Sequence, residues 1–200
     1  MAGHFEALPG GGAAAAFDEV EISILRSLAV QLMELVGPGD EPAEGEDPLD
    51  ALFAEGPSEP PSDPALARLF PDAYGGPDHV PDDDARAASA EFRRFTENDL
   101  RTRKREDALA VVRSLDALSA EGGKDSEGAV LRLKPDESQQ WLGALNDLRL
   151  AIGTRLEVSD EDDGSELLGL PDEDPRKPMA MAYLWLGGLQ ESLIETLMPE

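Results

Sequence analysis

Between Phe17 and Val36 the large apolar residues keep a helical rhythm. Val20, Ile24, Leu28, Leu32 and Leu35 fall four, four, four and three residues apart, with Leu25 and Val36 widening the stripe. Asp18 and Glu19 suit the positive end of such a helix, and Gly37-Pro38-Gly39 stops it. Before it, Pro9 and three glycines point to a flexible segment over residues 1–16, with a short extended piece at His4–Leu8. From 37 to 84 the rhythm is lost, and fourteen acids face a single base, Arg68. Such a stretch buries too little apolar surface to offset the entropy of ordering it. Two apolar islands interrupt it, Pro48–Phe53 and Pro64–Phe70. Each follows an Asp and starts with Pro, the pattern of an N-cap and a first helical position. They predict one- or two-turn helices that dock on a core.

Asp84–Leu118 contains neither Gly nor Pro. Its apolar stripe begins at Phe92 and Phe95 and returns at Ala108, Val111, Val112, Leu115 and Leu118, but Thr96–Asp107 holds only Leu100. Either one long helix leaves the core midway, or two helices meet near Asn98. Val130–Lys134 alternates like a strand, and Pro135 opens a helix aligning Trp141, Leu145, Leu148, Ile152 and Leu156. A last helix, Arg176–Met198, aligns Tyr183, Leu186, Leu189, Leu193 and Leu197. The expected fold is therefore mainly all-α: a single-domain helical bundle over 17–200, with a minor short β element. Its long acidic loops comprise an insertion at 37–63 and a loop at 159–175.

Charge narrows the function classes. Forty-three acidic against 17 basic residues leave a net charge of −26. A chain so negative is steered away from phosphate backbones, which argues against direct DNA binding. No run of eighteen apolar residues predicts a membrane span, and no export signal opens the sequence, so a cytoplasmic location is expected. Cysteine is absent, which removes disulfides, thiolate metal sites and thiol redox chemistry.

Catalytic constellations are missing from the pattern. His4 and His79 both fall outside the helical stripes. No glycine-rich loop carries a phosphate-binding lysine, and 160–164 places its glycine fifth rather than sixth for a calcium loop. No principal helix holds a Glu-x-x-His pair for a di-iron site. A non-enzymatic interaction protein without a cofactor is expected. The locally basic stretch is Arg86–Arg113, at +3 while the rest of the chain carries −29. Within it Arg94, Arg101 and Arg105 share one side of a helix, a candidate docking face for a partner. Leu66, Leu69 and Phe70 of the second island are candidate apolar contacts. The competing account is internal pairing, since Arg93–Glu97, Asp99–Arg103 and Arg103–Asp107 all have i,i+4 spacing. Asn146, Asp147 and Arg149 in one helix and Gln190 and Glu191 in the last point to polar pairing between the two. Trp141 and Trp185 are expected as core anchors.

The segments DPALARLFPDAY (63–74), EFRRFTENDLRTRK (91–104), WLGALNDLRLAIGTRL (141–156) and YLWLGGLQESL (183–193), with ILRSL and QLMEL of the first helix, carry a resemblance. Together they resemble an actinobacterial family of largely uncharacterised proteins, often encoded beside the ClpS adaptor, that includes an oxidative-stress regulator. The resemblance implies a regulator acting through protein partners, a stress sigma factor or RNA polymerase, on transcription of redox genes. The gene neighbourhood implies an alternative, an accessory factor for Clp-dependent proteolysis. Cysteine-based oxidant sensing, known for a family member, has no residue here to carry it.

Overall fold

The computed structural model describes residues 3–38, 55–75, 82–121, 128–159 and 165–198. Strands β1 (Glu6–Ala7) and β2 (Ala13–Phe17) lead into helix α1 (Glu19–Val36). The short α2 (Pro64–Leu69) and the long α3 (Asp83–Glu121) follow. Then come β3 (Ala129–Leu133), α4 (Pro135–Arg155), the single turn α5 (Ser165–Leu168) and α6 (Lys177–Leu197). The mainly helical bundle with a minor β element is as the sequence predicts. The island at Leu49–Phe53, His79 and the acidic residues 160–164 lie outside the described residues.

Local chemistry sets the helix starts. Asp18 caps α1 by accepting from the Glu21 N–H at 2.8 Å, while the Glu21 carboxylate accepts from the Asp18 N–H at 2.9 Å. Asp63 does the same for α2, accepting from Ala65 and Leu66 N–H at 2.8 and 3.0 Å ahead of Pro64. Between Asp83 and Glu121 the chain forms one uninterrupted helix, so the break near Asn98 does not occur.

The segment expected to be flexible departs most from the reading. Ala13–Phe17 is the middle strand of a three-stranded antiparallel sheet, pairing β1 through Ala14↔Glu6 and β3 through Ala15↔Leu131. Four alanines carry no β signal of their own. Gly12 makes the strand feasible: its φ is +87° and a Cβ there would stand 2.2 Å from the Leu133 carbonyl oxygen. On the buried face of the sheet, Phe5 and Phe17 meet Trp141 of α4. The Trp141 ring lies 5.8 Å from Phe5, edge-on, and 6.3 Å from Phe17, stacked. Trp141 is fully buried and donates its indole N–H to Ser114 Oγ at 3.1 Å. This is the core anchor the sequence suggested.

Around that anchor α3 packs on α1 along one side and on α4 along another, and α4 in turn packs on α6 and α2. The buried stripe of α1 is Ile22, Leu25, Ala29, Leu32 and Val36. Val20 and Ile24, expected in the core, are 65% and 41% exposed.

Candidate functional site

The basic stretch of α3 lies beside the ends of two other helices. Arg93 is buried, donating to Glu97, to the Phe70 carbonyl at 3.0 Å and to Asp72 at 2.8 Å. Glu97, only 2% exposed, also accepts from Arg101 Nε and Nη2 at 3.0 and 2.7 Å. The other end of Arg101 donates to the Val36 carbonyl, and its guanidinium lies 4.6 Å from the Phe70 ring centre. Arg105 donates to the Met33 and Gly37 carbonyls, both at 3.2 Å. Those carbonyls close α1, whose own last turn has no basic residue. The last carbonyls of a helix lack intrahelical partners and carry partial negative charge. Arg101 and Arg105 neutralise that end from a neighbouring helix.

Arg94, Arg101 and Arg105 thus share a side of α3, as the spacing predicts, but that side faces the protein. Arg101 and Arg105 turn onto α1. Arg94 holds Glu55 at 3.4 Å in an ion pair and stacks over its neighbour Phe95 at 5.0 Å, while its carbonyl accepts from the Gly56 N–H at 2.8 Å. Leu69 and Phe70 are 4% and 2% exposed and Leu66 is half-buried, so this island is packed core. All three arginines have partners inside the protein: the α1 carbonyls hold Arg101 and Arg105, Glu97 also holds Arg101, and Glu55 holds Arg94. The Arg93–Glu97 pair is found as the i,i+4 spacing suggests.

What α3 offers to solvent is a different strip. Phe92, Phe95 and Leu100 are 45%, 61% and 41% exposed. The Tyr74 ring meets Phe92 edge-on at 6.2 Å, beside a cavity of about 220 Å³ floored by Arg93 and Glu97. Arg94 flanks this strip half-buried and Arg103 flanks it exposed. The sequence carried the signal: Phe92, Phe95 and Leu100 are large apolar residues in a polar stretch. They read as core only because the stripe resumes at Ala108.

Further along, Lys104 donates to the buried Asp147 at 2.6 Å. The expected pairing of Asp147 with α6 is therefore replaced by a pair with α3. Burial pushes the Asp147 carboxyl up, against the pull of Lys104. Asp107 lies over Gly143, where a Cβ would stand 2.6 Å from its Oδ2. Burial raises its pKa to about 6, helped by Asp147 and Glu106 and opposed by Arg103 and Lys104. Between α4 and α6 the predicted polar pairing does form through Arg149, Gln190 and Asn146, while Glu191 is exposed.

No helix among the described residues is long and apolar enough to cross a membrane. The model of the family described as a domain of unknown function (DUF2017) matches residues 2–197. The chain belongs to this family. Among its relatives is the oxidative stress regulator AosR of Mycobacterium tuberculosis, 33% identical over 186 residues, which cover 89% of this chain and 78% of the relative. The protein of the same name from Mycobacterium bovis shows the same identity and coverage. No solved structure matches the chain. Within the family match lie both the arginine network of α3 and its exposed aromatic strip.

Proposed function

We propose that this protein is a non-enzymatic regulator of the oxidative-stress response that acts on transcription by binding a protein partner, a stress sigma factor. The observation that carries the reading is the relationship to a regulator of that name along most of both chains. The strip Phe92, Phe95 and Leu100 is the contact surface in this reading, since exposed aromatics rimmed by polar groups suit protein recognition. Arg94 and Arg103 at its edges favour an acidic partner surface. Oxidant input to the protein does not pass through a thiol of its own, because it has no cysteine.

Affinity capture from a mycobacterial lysate tests this, with wild type beside the doubly substituted Phe92→Ser, Phe95→Ser protein. Recovery of a sigma factor with RNA polymerase by wild type, lost in the variant, is the expected result. Recovery of Clp components in their place would favour a role in regulated proteolysis and end the sigma-factor reading.

A further inference from the structure

We propose that the cavity between α4 and α6 is a binding site for a small organic anion, a carboxylate or a phosphate monoester. The cavity measures about 440 Å³, a volume suited to a metabolite-sized ligand. Its polar lining is Arg68, Asn146, Arg149, Thr154, Ser159 and Tyr183, with Leu150 and Val158 as apolar wall. Among the described lining residues none is Asp or Glu, in a chain where acids outnumber bases 43 to 17. Several cations elsewhere are held by acids: Arg26 by Asp116, Arg93 by Glu97 and Asp72, and Arg176 by Asp174.

Arg149 is not. It donates to the neutral Gln190 Oε1 at 2.5 Å and, at a long 3.5 Å, to the Tyr183 hydroxyl. Its Nε–H is buried and finds no acceptor among the described residues. A half-buried guanidinium with only neutral acceptors lacks the negative charge that commonly accompanies a buried cation. Its position is built. The guanidinium lies 5.1 Å from the Tyr183 ring centre, and Tyr183 packs so close to Gly153 that a Cβ there would stand 3.1 Å from the ring. Gln190, itself fixed by Asn146 at 3.4 Å, holds one arm of the fork. On its other flank Arg149 borders a depression carrying Glu191 and Glu195, which repels anions, so the acid-free side is the entrance. There Arg68 supplies a second cation from the last turn of α2, exposed and without a carboxylate partner among the described residues. A planar arginine fork backed by hydroxyls and a second arginine is the arrangement that grips an oxyanion.

The site does not depend on the regulatory reading, and its test needs only the pure protein. Isothermal titration with phenylphosphate and with phenylacetate separates the phosphate from the carboxylate source, with phenol as the neutral control. Saturable binding of one anion and not of phenol is expected, weakened tenfold or more in Arg149→Gln. Arg68→Gln should weaken it severalfold while leaving the melting temperature unchanged, because Arg68 is exposed. Absence of saturable binding, or equal affinity in wild type and both variants, overturns the proposal. Binding that emerges only once Asp160, Glu161, Asp162 and Asp163 are changed to their amides would make the chain's own acids the occupant, and overturns it too. A loss of stability in Arg149→Gln, with anion affinity retained, would reduce Arg149 to a brace between helices.

Discussion

Asp107 carries the raised pKa, about 6 against an ordinary 3.8, and the sign of its effect follows. Between about pH 4 and 6 the folded protein keeps a proton that the unfolded chain has released. Stability therefore falls as pH rises through that window and stays lowered above it. Asp107→Asn should raise stability at pH 7.5 by about 1–2 kcal/mol, a value discounted for solvent screening at this half-buried site. At pH 4 the gain should vanish, which paired thermal melts will read. Arg101 works in the opposite sense. Its removal strips Glu97 of one partner and leaves the Val36 carbonyl bare, so Arg101→Gln should cost about 2–3 kcal/mol in urea unfolding. Arg94→Gln, losing an exposed pair to Glu55, should change stability by less than about 0.5 kcal/mol.

Helices and strands differ in how openly their residues announce them. The boundaries of α1, α2, α4 and α6 follow from caps and prolines that act within four residues. The face each helix buries is set by its neighbours, and α1 shows the difference. Val20–Ile24–Leu28 and Ile22–Leu25–Ala29–Leu32–Val36 both fit a helical period, and packing against α3 selects the second. An alanine in the seam admits that close packing, and pattern reading underweights alanine. For the same reason β2 has no signature in the sequence: its four alanines lie in a strand only because β1 and β3 flank them. The polar middle of α3 was legible as an anomaly and as possible i,i+4 pairs. Its long-range partners, the carbonyls of α1 and Phe70, have no sequence signature. The Arg149 cavity was visible only as polar residues interrupting two helices, since a missing counter-charge shows up only once neighbours are placed. Gly12 tests the β2 account. Gly12→Ala combines a positive φ with a collision against Leu133, and should cost about 2–3 kcal/mol by urea unfolding.

At the scale of the molecule, the chain carries a charge of −26, and its lack of cysteine leaves hydrogen peroxide few targets. Met179, Met181 and Met198 are 39%, 45% and 66% exposed. Peroxide should add oxygen at these methionines, seen by mass spectrometry, without crosslinking chains or moving the melting temperature by more than a few degrees. The same charge predicts that pure protein leaves a duplex DNA unshifted at physiological salt. The arginine network has a further consequence, for how the sequence can grow. Arg105 fixes Gly37 and the Arg94 carbonyl fixes Gly56, two points on one rigid helix about 16 Å apart at 1.5 Å per residue. Whatever length of chain joins them, its ends are pinned at that spacing. Closing a longer loop between fixed ends costs only about 0.6 kcal/mol for each doubling of its length. A segment inserted between Gly37 and Gly56 would therefore meet the same two anchors on α3 whatever its size, and the entropy of closing it would rise only slowly with its length.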